Sequence, residues 1–132
     1  MKINSFDIDG VIFMGYDHLG VYPGPKDVII TGRSIEEQPE TKQMLLDRNI
    51  LNTVYFNPIP FDKKTRVSSG IHKAFTLTYL QDMGYIIGIH FEDDPIQAEV
   101  IRDSHPEIHV VMLQHNLMTM ENVRHIYRTG KN

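Results

Sequence analysis

The stretch KINSFDIDG, residues 2–10, joins an apolar, strand-like run to two carboxylates and a glycine. Residues 2–8 predict a first strand that ends near Asp7. The short apolar runs of further buried strands occupy residues 27–31, 51–56, 85–91 and 108–113. Helical stretches separate most of these runs. The alternation predicts an α/β domain with a doubly wound, mainly parallel sheet of about five strands, a Rossmann-like arrangement with no cap domain.

Four helices are expected between and after these strands. They cover residues 38–49, residues 70–83, a segment that starts at Pro95 behind an Asp94 cap, and residues 119–127. In the second helix, Ile71, Ala74, Phe75 and Thr78 are expected to face inward.

Residues 10–25 contain four glycines and two prolines, a density that argues against a helix and predicts a hairpin or flap. A parallel crossover usually contains a helix, so one sheet face is expected to be thinly covered. A second copy of the chain would then cover that face, giving a homo-oligomer. The alternative is a flap that covers its own sheet through Phe13, Met14, Tyr16 and Val21.

Length and composition bound the class of protein. The chain has 132 residues, of which 41% are hydrophobic and 23% are charged, so a single domain over residues 1–132 is expected. The absence of cysteine excludes disulfides, thiolate metal sites and a Cys nucleophile. A net charge of −4 argues against a broad nonspecific nucleic-acid binder. No apolar run approaches the roughly 20 residues of a membrane span, and the acidic N-terminus lacks an apolar signal core, so a cytoplasmic protein is expected.

Polar clusters follow the predicted strands, where doubly wound sheets bind their ligands. Asp7 and Asp9 follow the first strand, and two carboxylates two residues apart project to the same side of an extended chain. One could attack a substrate while the other handles protons. The alternative is a turn, because Asp and Gly are both common in turns.

The second cluster is Thr31-Gly32-Arg33-Ser34, after the second strand. A hydroxyl and backbone amides at this position can bind a phosphate oxygen. Ser34 and Glu37 also have the spacing of a helix capping box, so capping is the alternative. Both interpretations are compatible with the same residues.

Two further clusters lie later in the chain. Lys73, near the start of a predicted helix, could neutralise a phosphate and a carboxylate together, or could be an isolated surface lysine. Glu92, Asp93 and Asp94 end the fourth strand and would repel one another unless a cation binds there. Hard oxygen ligands favour Mg²⁺. The alternative is that Asp94 caps the next helix.

Residues 57–69 are expected to form a long loop on the same side of the sheet. Lys63, Lys64 and Arg66 make this loop basic, so it could hold a second phosphate of the substrate. The alternative is a solvated surface loop without a ligand.

The order of the four clusters resembles the haloacid dehalogenase-like superfamily of phosphohydrolases, over about residues 1–113 and in a minimal, capless form. The resemblance implies that Asp7 is the nucleophile that forms an aspartyl-phosphate. Asp9 would be the general acid for the leaving alcohol and then the base for water. Thr31, with the amide that follows it, would bind the phosphoryl group, and Lys73 would stabilise the phosphoaspartate.

The resemblance also implies a Mg²⁺ ion bound by Asp7, by the backbone carbonyl of Asp9 and by Asp93, with Asp94 as an indirect or alternate ligand. The expected function is Mg²⁺-dependent hydrolysis of a phosphomonoester, in an open site suited to a nucleotide, a polynucleotide end or another large phosphorylated molecule. Two alternatives stay open. One is a non-catalytic binding or regulatory protein on a degenerate scaffold, and the other is a phosphotransferase.

Overall fold

A computed structural model describes residues 1–15 and 20–114 of the chain. Within these ranges the strands are β1 (Lys2–Phe6), β2 (Val28–Ser34), β3 (Val54–Asn57), β4 (Ile86–Glu92) and β5 (His109–Met112). They form one sheet in the order β3-β2-β1-β4-β5, and every neighbouring pair is parallel. The predicted doubly wound α/β architecture is confirmed. The helix expected over residues 119–127 lies outside the described residues.

In the described residues, the second and third helices and the first 3₁₀ turn begin at side-chain caps that the sequence encodes. The helices are α1 (Gln38–Leu46), α2 (Arg66–Asp82) and α3 (Pro95–Ser104), with 3₁₀ turns over Ile35–Glu37 and Phe61–Lys63. Ser34 and Glu37 form the predicted capping box, and the Asp94 side chain caps α3 as expected. None of the helices within the described residues has both the length and the apolar character needed to cross a membrane.

Helix α2 begins four residues earlier than predicted. The basic loop predicted over residues 57–69 is therefore shorter than expected. Thr65 and Ser68 cap each other's backbone amides, with the Ser68 amide donating to Thr65 Oγ1 at 3.0 Å. This reciprocal pair satisfies two amides of the first turn and fixes the start of the helix. Arg66 is therefore the first helical residue rather than a loop residue.

Two apolar cores cover the two faces of the sheet. Helices α2 and α3 pack on one face, around Ile30, Leu77 and Ile101. On the other face, Val11 and Ile12 of the predicted flap are buried against the sheet with residues of α1. The chain itself thus covers the face that was expected to be thinly covered.

The flap differs from the predicted hairpin in the parts of it that are described. Residues 10–15 and 20–25 contain no helix and no extended strand. The amides of Ile12 and Phe13 both donate to the Ile8 carbonyl, which forms a compact turn. Val11 and Ile12 do most of the covering, with Phe13 and Val21 packed at the edge of the core and Met14 half-buried. Tyr16, also predicted to cover the sheet, lies outside the described residues.

The topology puts a crevice between the carboxyl ends of β1 and β4. The chain winds from β1 outward to β2 and β3, and then returns to place β4 and β5 on the other side. Ligands bind at such a switch point in doubly wound sheets. Phe6 and Phe91 pair in register and their rings stack at 4.5 Å, so the residues that follow them, Asp7 and Glu92, emerge side by side.

Candidate functional site

Lys73 lies at the centre of the polar cluster at this switch point. Its side chain is fully buried, and its ammonium lies 3.1 Å from Asp7 Oδ1 and 2.7 Å from Glu92 Oε1. A charged lysine is tolerated inside a protein when it is paired in this way. The surface alternative for Lys73 is therefore wrong, and the residue lies in the middle of α2 rather than near its start.

Glu92 fixes the position of Lys73 from the opposite side. Its Oε1 also lies 3.1 Å from His90 Nε2, while its Oε2 accepts from the backbone amides of Asp93 and Asp94. The other ring nitrogen of His90 lies 2.7 Å from Ser5 Oγ. A buried polar network thus connects the crevice to the interior of the sheet, and such networks make their members rigid.

Three carboxylates meet closely enough to bind one metal ion. Asp7, Glu92 and Asp93 each offer an oxygen, and these oxygens lie within 4.8 Å of one another. Glu92 belongs to the acidic run that was expected to attract a cation, but the ligand set implied by the resemblance (Asp7, Asp9, Asp93 and Asp94) left it out. The available signal was the position of Glu92 in the same acidic run, at the end of a buried strand.

Asp94 caps α3, as its position before Pro95 predicts, and its indirect or alternate part in metal binding stays a prediction. Its carboxylate caps α3, accepts two hydrogen bonds from the Arg66 guanidinium and accepts one from Gln97 at 2.8 Å. Burial opposes the charged form, but the hydrogen bonds from Arg66 and its other donors outweigh it and hold the pKa of Asp94 below its ordinary value. Asp94 is a cap and ion-pair partner, outside the group of three carboxylates.

Gly10 allows Asp93 to approach the loop after β1. Its φ is +80°, which favours glycine, and a Cβ atom there would lie 1.7 Å from Asp93 Oδ2. Any side chain at this position would displace the Asp93 carboxylate. The glycine of the Asp-x-Asp-Gly motif therefore forms part of the wall against which Asp93 packs, in addition to making a turn.

Asp9 is held by Arg33 through both of its oxygens. Arg33 Nε lies 3.0 Å from Asp9 Oδ2, and Nη2 lies 2.8 Å from Asp9 Oδ1. The same guanidinium donates to Thr41 Oγ1 at 3.1 Å, and its side chain is 1% exposed. Burial disfavours the charged guanidinium, but the Asp9 carboxylate outweighs burial and raises the pKa of Arg33. Arg33 lies within β2, which runs beyond the predicted strand end at Thr31.

Thr31 and Gly32 are both buried in β2, close to the crevice. The Thr31 hydroxyl accepts a hydrogen bond from the Arg33 amide at 3.0 Å. Gly32 packs closely against α2, since a Cβ atom there would lie 3.0 Å from Ser69 Oγ. The second polar cluster is thus part of β2, which continues three residues beyond the strand end predicted at Thr31.

The three basic residues predicted to act together differ in burial and in their partners. Lys64 is buried, and its ammonium donates to the Gly32 carbonyl and to Glu37, each at 2.9 Å. Burial lowers its pKa. Arg66 pairs with Asp94, and Lys63 is exposed. Lys64 and Arg66 thus have partners within the chain, and a second phosphate held by these residues stays a prediction.

Among six described side chains near the crevice, the acidic groups outnumber the basic ones. Four carboxylates and two cationic side chains meet there, namely Asp7, Asp9, Glu92, Asp93, Lys73 and Arg33. When all are ionised, four negative charges against two positive ones leave an excess of two negative charges. One divalent cation would neutralise that excess.

Comparisons with known proteins leave the functional assignment to the site itself. No family model, curated protein or solved structure matches this chain. The chemistry of the site is therefore interpreted from its own residues and their geometry.

Proposed function

We propose that the chain is a Mg²⁺-dependent phosphomonoester hydrolase of the haloacid dehalogenase-like type, with Asp7 as the nucleophile. The observation that supports this most strongly is the convergence of Asp7, Lys73 and the acidic pair Glu92-Asp93 at the switch point. A carboxylate can attack a phosphate only if the negative charges of both are compensated. The crevice combines a buried ammonium with carboxylates suited to a metal ion.

The donor set fits Mg²⁺. All three candidate ligand groups are carboxylates, the hard oxygen ligands that Mg²⁺ prefers, and their oxygens lie within 4.8 Å of one another. Glu92 already accepts from Lys73 and from two amides, so Asp7 and Asp93 are the principal ligands in this proposal. When bound, Mg²⁺ supplies positive charge between the nucleophile and the phosphate oxygens.

The reaction begins with attack of an Asp7 carboxylate oxygen on phosphorus, and the bond from phosphorus to the leaving oxygen breaks. Lys73 keeps Asp7 ionised beforehand and stabilises the phosphoryl group once it is bound to Asp7. The Thr31 hydroxyl carries a proton that it can donate to a phosphate oxygen. Water then attacks the same phosphorus and releases inorganic phosphate, which regenerates the Asp7 carboxylate.

The contacts of Asp9 suit the base step of its proposed role better than the acid step. Its ion pair with Arg33 stabilises the carboxylate form, which suits a base that takes a proton from the attacking water. To protonate a leaving alkoxide, Asp9 must first gain a proton and release one contact to Arg33. Aryl phosphates, whose leaving groups need little protonation, should therefore react faster than alkyl phosphates.

A substrate screen with and without Mg²⁺ tests this proposal. Nucleotides, sugar phosphates, phosphopeptides and 3′-phosphorylated oligonucleotides cover the classes that an open site can admit. We expect Mg²⁺-dependent phosphate release from at least one class, and none from the Asp7→Asn variant. A parallel reaction with glycerol as acceptor distinguishes hydrolysis from phosphoryl transfer. Absence of Mg²⁺-dependent release from every class would contradict the proposal.

A second candidate function is phosphate binding without turnover. The observation in its favour is the bidentate contact of Arg33, which engages both oxygens of the residue assigned to acid–base chemistry. The same screen separates the two functions. A binding protein would bind inorganic phosphate with Mg²⁺ in a calorimetric titration and would release none from any ester.

A further inference from the structure

The outward side of α2 carries a stripe of exposed apolar side chains. Val67, Ile71, Phe75, Tyr79 and Met83, just past the end of the helix, follow one another at intervals of four residues, and each is between 49% and 74% exposed. Residues four apart form a continuous ridge on a helix. The stripe lies opposite the buried side of α2 and away from the flap, where a contact between copies had been expected from the sequence.

Few charges lie on the helical segment that carries the stripe. Among residues 67–83, the charged side chains are Lys73, which is buried, and Asp82 at the C-terminal end of α2. His72, at the margin, is neutral near pH 7, because burial lowers its pKa to about 4. Interface cores are depleted of charge and enriched in aromatic residues and Met. The outward side of α2 has this composition, whereas the exposed side of a solvated helix is normally rich in charge.

We infer that this stripe is the contact surface of a homodimer in which two copies of α2 pack antiparallel across a two-fold axis at Phe75. The ridge is symmetric about Phe75, so Phe75 meets its equivalent while Ile71 meets Tyr79 of the other copy. Two such ridges interdigitate when the helices cross at about −50°. An interface that is complementary to itself is what a two-fold dimer requires.

Electrostatics favours this side of the molecule for contact between identical chains. Each chain has a net charge of −4, so repulsion between two copies is smallest where the contact surface carries few charges. The five side chains expose on the order of 500 Å² per copy, at the upper end of what monomers leave uncovered. Complete burial of both stripes would give at most about 1,000 Å² in total, near the lower limit of specific interfaces, which predicts a dimer of micromolar rather than nanomolar affinity.

Sedimentation equilibrium of the full chain tests the inference. At concentrations from about 1 to 300 μM, chosen to span micromolar dissociation constants, the average mass should rise above the 15.3 kDa of one chain. Phe75→Asp should weaken association by about 100-fold or more, because each copy loses an anchor and buries a charge.

The matched control is Leu51→Asp, at an apolar residue that is 80% exposed and lies outside α2. This variant should associate like the parent chain. A single 15.3 kDa species at every concentration would overturn the inference. Association that Phe75→Asp leaves unchanged, or that Leu51→Asp weakens equally, would also overturn it.

Because the chain has no cysteine, single substitutions can report which residues meet. Phe75→Cys should form a disulfide between copies on mild oxidation, and Leu51→Cys should not. A mixture of Ile71→Cys and Tyr79→Cys chains should give mainly the mixed disulfide. A preference for the two unmixed disulfides would indicate parallel helices, and equal cross-linking through Leu51→Cys would indicate random collision. Either result overturns the antiparallel dimer.

Discussion

Helix α2 buries a charged side chain and exposes apolar ones, which is the reverse of the usual distribution in a globular protein. Lys73 is fully buried among carboxylates, while Phe75, two residues later, is 74% exposed. A buried cation and an exposed aromatic ring are each uncommon in a protein that only needs to fold. The inner side therefore points to chemistry, and the outer side points to contact with another molecule.

The same helix shows how stability and function compete. Replacing Lys73 by an apolar residue would remove the need to bury an ammonium, but it would leave the surrounding carboxylates uncompensated. Replacing Phe75 by a polar residue would leave the fold almost unchanged. Substitutions on the inner side should therefore change the stability of the monomer strongly, and substitutions on the outer side should hardly change it. The following predictions use that difference.

The largest expected effect is the loss of turnover in Asp7→Asn, which changes an ion-pair partner of Lys73. The substitution is isosteric and removes the nucleophilic charge, so we expect at least a ~10⁴-fold loss of phosphate release. Steady-state hydrolysis of an aryl phosphate measures it, with far-ultraviolet circular dichroism as the control for folding. Turnover within tenfold of the parent chain would remove Asp7 as the nucleophile.

The next effect is on stability, through the pair Lys73→Met and Phe75→Met. Lys73→Met should lower the free energy of unfolding by about 3–5 kcal/mol, because Asp7 and Glu92 lose their common cation. Phe75→Met should change the free energy of unfolding of the monomer by less than about 0.5 kcal/mol. Urea unfolding at submicromolar concentration measures both.

Addition of Mg²⁺ sharpens this comparison. The ion should restore part of the stability of Lys73→Met, since it supplies positive charge to the same carboxylates. It should leave the difference between Phe75→Met and the parent chain unchanged. Equal destabilisation by the two methionine variants would contradict the contrast between the two sides of α2.

His72 lies at the boundary between the two sides and predicts a dependence on pH. Burial lowers its pKa to about 4, and Nε2 lies 3.3 Å from the Tyr55 carbonyl. The unfolded chain, with an ordinary pKa near 6.5, binds the proton more readily between these values. Stability is therefore fully present above about pH 6.5 and falls as the pH drops toward 4.

The variant His72→Gln isolates this contribution from those of other groups. Between pH 7 and pH 5 the parent chain should lose about 2 kcal/mol more stability than the variant. Urea unfolding at several pH values measures the difference. Parallel losses in the two proteins would show that the His72 proton does not couple to folding.

The smallest expected effect concerns the loop beside the candidate metal site. Gly10→Ala should weaken Mg²⁺ binding by about tenfold, because the new methyl group displaces the Asp93 carboxylate. Gly84→Ala is the matched control, since Gly84 also has a positive φ, of +100°, but no atom near the added Cβ. Calorimetric titration should find its affinity for Mg²⁺ unchanged. Equal weakening by both substitutions would assign the effect to backbone strain.

The order of strands and helices was predictable because short apolar runs alternate with capped helices along the chain. The switch point followed from that order, and it brought the Asp7 and Glu92 ends of β1 and β4 to one place. The sequence pattern predicted the start of α2 less accurately. A capping pair at Thr65 and Ser68 lies inside a stretch that resembles a loop in composition.

The side chains that surround the site were harder to predict for physical reasons. Helix α2 is apolar on both sides, so periodicity could not show that Ile71 and Phe75 are exposed while Leu77 is buried. The inward orientation expected for Ile71, Phe75 and Thr78 is wrong, and only Ala74 is buried as expected. Ion pairs such as Asp9–Arg33 join residues 24 positions apart, and no local pattern encodes them.

Direct detection of the phosphoryl group on Asp7 tests the central claim of an aspartyl-phosphate mechanism. The variant Asp9→Asn keeps the nucleophile but lacks the base for hydrolysis, so the intermediate should accumulate with an aryl phosphate and Mg²⁺. After an acid quench, mass spectrometry of proteolytic peptides should find one phosphoryl group, on Asp7. The double variant that also carries Asp7→Asn should show none. A phosphoryl group on any other side chain, or an equal signal in the double variant, would contradict the mechanism.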